Sequence, residues 1–143
     1  MSNPATKPCI VLIMHTPLAA AFKACAVHVL GHDLLAQRLF CFDIDPVVHI
    51  DDEVNRLLQA ISSDVPTQQP ILLLNDLYGA TPYRIAARVC QQLRVQDMQA
   101  SLLAGASMPM LLKAITDSTG GDFAAYVQTI AHTAARGAVL SER

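Results

Sequence analysis

Short continuous apolar runs alternate along this chain with stretches in which apolar residues recur every three or four positions. The continuous runs predict strands buried on both faces of a parallel sheet, and the periodic stretches predict helices packed against it. Strands are expected at residues 8–14, 38–44, 70–75 and 99–104. Helices are expected at 18–30, where Leu18, Phe22, Cys25 and Val29 recur at helical spacing, up to residue 61 after a cap at Asp51 or Asp52, and at 81–93, 108–115 and 122–136. This alternation predicts an α/β fold of three layers, α/β/α, around a mainly parallel sheet.

The connections between these elements indicate how the strands are ordered. Right-handed crossovers and the commonest doubly wound arrangement predict a flavodoxin-like order, 2-1-3-4. A short apolar segment at 138–140 is expected to form one further C-terminal strand at an edge. No repeat or linker interrupts the pattern, so residues 1–143 are expected to form one domain.

The predicted order makes the first and third strands neighbours. Ligands of such sheets bind beyond the carboxyl ends of the strands, where the strand order reverses. The first strand runs into His15, and Asp76 directly follows the third strand. We therefore expect the imidazole and the carboxylate to lie close together at one edge of the sheet.

Composition narrows the classes of function. Hydrophobic residues make up 52% of the chain and charged residues 15%, which excludes a disordered protein. The formal net charge is −2 and no basic patch stands out, so neither nucleic acid nor an anionic membrane is an expected partner. No apolar run reaches the roughly 20 residues of a membrane span, and the N-terminus lacks the pattern of a signal peptide. A cytoplasmic protein is expected.

The cysteines and the remaining histidines suggest no further chemistry. The four cysteines are widely spaced within apolar runs and are expected to be buried, reduced thiols. His28 and His32 are four residues apart beside Asp33, but no third and fourth ligand is evident for zinc. An exposed helix end is the better interpretation, and no metal site is predicted.

The stretch after the third strand has the layout of an anion site. Gly79 allows the chain to turn, Thr81 is expected to cap the next helix, and Pro82 suits its first position. Free backbone N–H groups and the helix dipole favour negative charge at such a helix start. The amides from Thr81 onward, with the Thr81 hydroxyl, would therefore hold an incoming phosphoryl group.

His15 is the candidate nucleophile beside this anion site. A neutral imidazole can attack phosphorus, and a carboxylate that accepts a hydrogen bond from one ring nitrogen leaves the other nitrogen free. Taken alone, His15 would be interpreted as an ordinary loop histidine and Asp76 as a helix cap. Their shared position at the switch point favours a phosphohistidine, with Asp76 orienting the ring.

Three motifs carry a family resemblance: Ile-Met-His at 13–15, Leu-Asn-Asp-Leu-Tyr-Gly-Ala-Thr-Pro at 74–82, and Ala-Gly-Ala-Ser-Met-Pro-Met-Leu at 104–111. With them, the chain resembles the IIA component of the mannose/fructose/sorbose class of the bacterial phosphoenolpyruvate-dependent sugar phosphotransferase system. The resemblance runs from about residue 10 to 140. It is specific because the three motifs occur together, in order and at suitable intervals.

The resemblance implies a phosphoryl carrier that uses no cofactor. His15 would accept a phosphoryl group from the phosphocarrier protein HPr and pass it to a IIB component, with Asp76 orienting the imidazole and Thr81 contacting the phosphate. The IIB component is expected to be a separate protein, and the membrane would be reached only indirectly, through IIC and IID partners. Members of this family are homodimers that exchange a C-terminal strand, which matches the segment at 138–140.

The residues expected to contact partners surround the same edge, and three of them differ from the residues that the family usually has at these positions. Thr16 and Ala80 replace glycines, and Ser107 replaces an asparagine, so they affect the partner surface more than the chemistry. The expected substrate- or partner-binding residues are Thr16, Tyr78, Gly79, Ala80, Arg84 and Ser107.

Other functions either fit the sequence pattern less well or stay as alternatives to the phosphoryl carrier. One alternative is a regulatory, phosphorylation-dependent interaction module of the same family without sugar transport. A receiver phosphorylated on aspartate would need acidic residues after the first strand and a late lysine, but no lysine follows Lys113. A chelatase-like enzyme with a histidine after the first strand is a remote further alternative. The sugar cannot be read from this chain, because its choice would belong to membrane partners.

Overall fold

Four strands and six helices form in the part of the chain that the structure describes. The structure is a computed structural model, and it describes residues 7–66, 68–117 and 122–141. The strands are β1 (Cys9–His15), β2 (Leu39–Ile44), β3 (Ile71–Asn75) and β4 (Ala100–Ala104). The helices are α1 (Leu18–Leu30), α2 (His32–Leu35), α3 (Ile50–Asp64), α4 (Thr81–Val95), α5 (Met108–Thr116) and α6 (Phe123–Arg136).

The four strands form one parallel sheet in the order β2-β1-β3-β4. Leu12 of β1 pairs with Cys41 of β2 on one side and with Leu74 of β3 on the other. The predicted strand order and the predicted parallel sheet are therefore confirmed. Because all strands point the same way, their carboxyl ends form a single edge, at which the residues after β1 and β3 meet.

Two apolar clusters sandwich the sheet, and alternate residues of β1 belong to each. Val11 and Ile13 pack with residues of α3 and α4 on one face. Leu12 and Met14 pack with residues of α1, α5 and α6 on the other face. This is the predicted three-layer arrangement. Truncating a fully buried side chain such as Leu12 to alanine would cost about 2–5 kcal/mol.

The structure differs from the sequence predictions in the details of the helices. The hydrophobic pattern does not predict the four-residue helix α2, and α3 begins at Ile50 after His49 rather than after Asp51 or Asp52. On α1 the buried residues are Ala19 and Ala26, whereas Val29 is 58% exposed. The prediction that all four thiols are buried is wrong: Cys9 and Cys90 are buried, Cys41 is half-buried and Cys25 is exposed.

The C-terminal segment at 138–140 carries two exposed apolar side chains. Val139 and Leu140 are each 81% exposed, and this segment pairs with no strand of the described chain. The expected exchange of this segment between two copies stays a prediction. Among the described residues, no helix combines the length and the apolar character that a membrane crossing requires.

Candidate functional site

The imidazole of His15 and the carboxylate of Asp76 are in contact. The ring Nδ1 of His15 lies 2.7 Å from Oδ2 of Asp76. The backbone N–H of His15 donates to the same oxygen at 3.3 Å. Asp76 is largely buried, with 11% of its side chain exposed, while the His15 side chain is 45% exposed. A ring held on one side and open to solvent on the other can therefore meet a partner protein.

Asn75 holds the carboxylate of Asp76 in place through a side-chain hydrogen bond. Asn75 is fully buried at the end of β3, and its amide nitrogen donates to the carbonyl of Ile13 at 2.9 Å and to Oδ1 of Asp76 at 3.3 Å. Its amide oxygen accepts from the backbone N–H of Leu77 at 3.1 Å. Because Asn75 contacts Oδ1, the other carboxylate oxygen of Asp76 is left to His15.

The loop after Asp76 turns the chain into the start of α4. Gly79 has φ +85°, a left-handed conformation that favours glycine because side chains strain it. Ala80 is the N-cap of α4 and provides no side-chain cap, while Thr81 is the first helical residue. The prediction that Thr81 caps this helix is therefore wrong. Within the described chain, the Thr81 hydroxyl has no hydrogen-bond partner and remains available for a ligand.

Four helices begin at the edge that carries His15, and three of them already have acceptors at their starts. The carboxylate of Asp43 accepts from the first turn of α1, and Ser107 accepts from Met110 in α5. The first turn of α3 holds three acidic residues: Asp51, Asp52 and Glu53. Among these four helices, only α4 has no side-chain acceptor at its start, neither from its own first turn nor from another described element. Its N-terminal amides are therefore the open anion site at this edge.

The remaining expected site residues surround this edge, with different environments. Thr16 is exposed, and its backbone N–H donates to the carbonyl of Ile44 at 3.1 Å. Tyr78 is 75% exposed, and its ring centre lies 4.7 Å from that of Tyr83. Ser107 is the N-cap of α5, so its hydroxyl accepts a hydrogen bond from Met110 at 3.4 Å. The side chain of Ser107 is therefore used locally.

Arg84 and Arg88 lie on one face of α4, and only Arg88 is paired among the described residues. Arg88 donates to Asp51 of α3 at 2.5 Å, and this hydrogen bond lowers the pKa of the Asp51 carboxyl. Arg84 is exposed one turn nearer the helix start and makes no ion pair with any described residue. The contact of Arg88 with Asp51 lies at the exposed surface between α3 and α4. The buried residues of α4 lie on the opposite side of the helix from Arg84, so the Arg84 side chain is open to solvent.

Two residues of the site were missed from the sequence. Asn75 lies in an apolar strand, and its position beside Asp76 is the only sequence signal of its role. Asp43 is the polar residue in the run Leu39–Ile44, where the pattern indicates only that the strand ends. In both cases the decisive fact is the direction of the side chain, which depends on strand alternation and on the neighbouring helix.

The structure offers no metal centre and no reactive thiol beside His15. Within the described ranges, no group of three histidine, cysteine or acidic side chains is placed to hold a metal ion. Burial raises the pKa of the Cys9 and Cys41 thiols to about 11 each. These thiols are therefore protonated at neutral pH and are poor nucleophiles. The imidazole of His15 therefore remains the candidate nucleophile at this edge.

Comparison with known protein families identifies the family of this chain. A sequence model of the family described as "PTS system fructose IIA component" (EIIA-man) matches residues 9–131, most of the chain. That match includes β1, β3 and the start of α4. Among curated proteins, no sequence matches significantly.

Solved structures of similar proteins share the fold. A mannose/sorbose-specific IIA subunit of the phosphotransferase system from Enterococcus faecalis superposes with a TM-score of 0.80 at 17% identity, covering 96% of this chain and 97% of that one. Phosphotransferase system component EIIA from Streptococcus agalactiae gives a TM-score of 0.75 at 19% identity, covering 92% and 95%. A PTS IIA protein associated with a fucose utilization operon from Streptococcus pneumoniae gives 0.71 at 17% identity, covering 96% of each chain. At these identities the likeness shows the fold alone.

Proposed function

Since this chain belongs to the fructose/mannose IIA family of the phosphotransferase system, we propose that it carries a phosphoryl group on His15, taken from HPr and passed to a IIB protein. The observation that supports this most is the 2.7 Å contact between His15 Nδ1 and Asp76 Oδ2. The contact occurs beside the one open helix start among the four at this edge. Family membership supports a phosphotransfer component, and HPr and IIB are the partner types that such a component implies.

The proposed chemistry begins with the tautomer of His15. When Nδ1 carries the proton and its N–H donates a hydrogen bond to the Asp76 carboxylate, the lone pair of Nε2 is free to attack phosphorus. A bond forms between Nε2 and phosphorus while the bond from phosphorus to the donor breaks, and its electron pair stays with the donor. The ring becomes positively charged, and the carboxylate of Asp76 stabilises that charge.

The phosphoryl oxygens are proposed to dock at the start of α4. The backbone amides of Thr81 and Tyr83 are among the helix-start donors that lack intrahelical partners, whereas Pro82 has no N–H. The Thr81 hydroxyl adds a further donor. These hydrogen bonds would stabilise the charge that spreads over the oxygens during transfer.

Arg84 is proposed to add a positive charge to the same site. Arginine suits phosphoryl oxygens because its planar guanidinium presents several donors. Arg84 lies one turn from Thr81, and its exposed side chain has no ion-pair partner among the described residues. Arg88 is already bound to Asp51 and is not expected to contribute.

Partner proteins are proposed to approach over the exposed rim of this edge. Tyr78 and Leu77 are exposed apolar side chains directly beside Asp76, 75% and 57% exposed respectively. With the surfaces of Thr16, Gly79 and Ala80, they would form the shared contact for HPr and the IIB protein. Ser107, whose hydroxyl caps α5, would contribute to the rim rather than to the phosphate.

A purely regulatory role would use the same phosphohistidine, and no feature of the described site favours it over transfer. The two roles differ in the fate of the phosphoryl group on His15. A carrier gives this group to an acceptor, whereas a regulatory module keeps it and changes its binding partner. Addition of purified IIB protein to the phosphorylated chain therefore separates the two roles.

The experiment that tests the proposal is phosphorylation of the purified protein by phosphoenolpyruvate, enzyme I and HPr, followed by mass spectrometry at alkaline pH. We expect one phosphoryl group on the wild type, none on His15→Ala, and one on His49→Ala. His49 is a matched control because it is an exposed histidine at the start of α3, near the same edge. Phosphorylation of His15→Ala to the wild-type level would refute the assignment. So would an unmodified wild type when HPr phosphorylates a known acceptor in the same mixture.

A further inference from the structure

Asp43 connects β2 to the first turn of α1 through both of its carboxylate oxygens. Oδ1 accepts from the backbone N–H of Ala19 at 2.8 Å, and Oδ2 accepts from that of Ala20 at 3.1 Å. Asp43 is half-buried, and burial by itself does not explain why a carboxylate stands at this position. Its two hydrogen bonds reach across sequence to a helix that starts directly after the His15 segment.

The segment between His15 and α1 is only two residues long, Thr16 and Pro17. The backbone N–H of Thr16 donates to the carbonyl of Ile44, which extends the β1–β2 pairing by one residue. At the other end of the segment, Asp43 holds the amides of Ala19 and Ala20. Both ends of the segment after the nucleophile are therefore fixed to the last residues of β2.

The charge of Asp43 also decides which helix start is available to an anion. Two helices, α1 and α4, adjoin the strands that end in His15 and Asp76. At α1 the carboxylate of Asp43 occupies the first-turn amides, and at α4 no side chain of the described chain does so. Asp43 faces the α1 side of the sheet, whereas strand alternation directs His15 toward the side of α3 and α4. The carboxylate of Asp43 thus occupies the start of α1, on the face of the sheet away from His15, while the start of α4, on the same face as His15, stays available to an anion.

From this geometry we propose that Asp43 is a positioning residue for phosphoryl transfer. It holds the backbone beyond His15 so that Nδ1 stays on Asp76, and it keeps phosphoryl oxygens away from α1. This inference rests on the proposed function of His15. Asp43 itself touches neither the ring nor the phosphoryl group, so it acts through the segment it holds.

A matched control separates this role from ordinary helix capping. Asp122 is the N-cap of α6, and its Oδ1 accepts from the backbone N–H of Ala124 at 3.0 Å. Helix α6 starts at the opposite edge of the sheet, because it follows the end of α5. Asp43→Ala and Asp122→Ala therefore each remove one capping carboxylate, and denaturant unfolding should show that both variants lose stability to a similar extent.

The test compares the rate constant for phosphorylation of His15 at saturating phosphorylated HPr. A misplacement of the ring by about 1 Å is enough to cost up to about a hundredfold in rate. We expect Asp43→Ala to lower this rate constant at least about tenfold, within that limit. Asp43→Asn, which keeps one acceptor oxygen, should fall between Asp43→Ala and wild type, and Asp122→Ala should match wild type. If Asp43→Ala does not fold, Asp43→Asn and Asp122→Asn make the same comparison.

A second measurement does not depend on phosphorylation. The ¹⁵N chemical shifts of the His15 ring report whether Nδ1 donates to a carboxylate. We expect them to change in Asp43→Ala and to stay at wild-type values in Asp122→Ala. Wild-type rates and wild-type ring shifts in both Asp43 variants would overturn the positioning role. If the wild type itself takes no phosphoryl group, the proposed function fails, and the ring shifts alone then decide the role of Asp43.

Discussion

The chemistry proposed for this edge rests on a single contact, between the imidazole of His15 and the carboxylate of Asp76. The sequence predicts both residues and their proximity, because strand order alone brings the ends of β1 and β3 together. It does not predict Asn75 or Asp43 as supporting groups. Their roles depend on where each side chain points within a few ångströms of the strand end, and hydrophobic pattern does not contain that information.

Replacing Asp76 with asparagine tests the orienting role of the carboxylate. An amide is similar in size but has no negative charge, and it can offer its nitrogen to Nδ1 and favour the other tautomer. We expect phosphoryl transfer from HPr to slow by about a hundredfold, comparable to the cost of a misplaced reacting group. The measurement is the single-turnover rate of His15 phosphorylation, with circular dichroism to show that the fold is intact.

The control for this substitution is Asp64→Asn at the exposed end of α3, away from His15. It changes the net charge equally and should leave the rate unchanged. Unaltered transfer kinetics in Asp76→Asn would mean that the 2.7 Å contact has no orienting role.

At the scale of the elements, most helix and strand bounds are predictable from the sequence to within one or two residues. The predicted helix at 18–30 coincides with α1, and the predicted helix at 81–93 ends two residues before α4 does. The buried face of α1 was not predictable, since apolar residues surround this helix almost completely. The small side chains of Ala19 and Ala26 are buried against the sheet, Leu18 and Phe22 pack at the margin of the core, and Val29 faces outward.

Because the start of α4 has no capping side chain, a substitution that caps it should stabilise the fold and slow the proposed phosphorylation. Ala80 has the extended backbone typical of an N-cap, with φ −79° and ψ 174°, but no side chain that can cap. Ala80→Asp should raise the unfolding free energy by about 1 kcal/mol, because a carboxylate caps far better than alanine. The same carboxylate would occupy the amides proposed for the phosphoryl group, so the rate of His15 phosphorylation should fall.

Ala80→Asn separates the two effects, since asparagine caps about as well as aspartate but carries no charge. It should stabilise the protein similarly and slow phosphorylation less than Ala80→Asp. Denaturant unfolding and the single-turnover rate are the two measurements. An Ala80→Asp variant that is more stable and equally fast would show that the phosphoryl group does not use the start of α4.

At the scale of the whole molecule, the three-layer fold was predictable and the assembly was not. Crossover handedness and buried parallel strands leave few alternatives for a chain of this pattern, which explains why proteins at 17–19% identity share the arrangement. An assembly depends instead on surfaces whose partners lie in another chain. Val139 and Leu140, each 81% exposed beyond α6, are two adjacent apolar side chains without cover in the described chain.

Deletion of residues 138–143 tests the expected exchange of a C-terminal strand between two copies. The open edge of β4 offers unpaired backbone groups that such a strand would cover. We expect the truncated protein to dissociate at concentrations at which the full chain is dimeric, as measured by sedimentation velocity. Deletion of residues 141–143 alone, which keeps both apolar side chains, is the control. An unchanged dimer after the longer deletion would rule out the exchange.

The most direct test of the whole account is to identify the ring nitrogen that carries phosphorus in the phosphorylated protein. Two-dimensional NMR that correlates ¹H, ¹⁵N and ³¹P distinguishes the two ring positions of a phosphohistidine. Because Asp76 holds Nδ1 in the described geometry, we expect a single phosphoryl group on Nε2 of His15. Phosphorus on Nδ1, or on any residue other than His15, would contradict it.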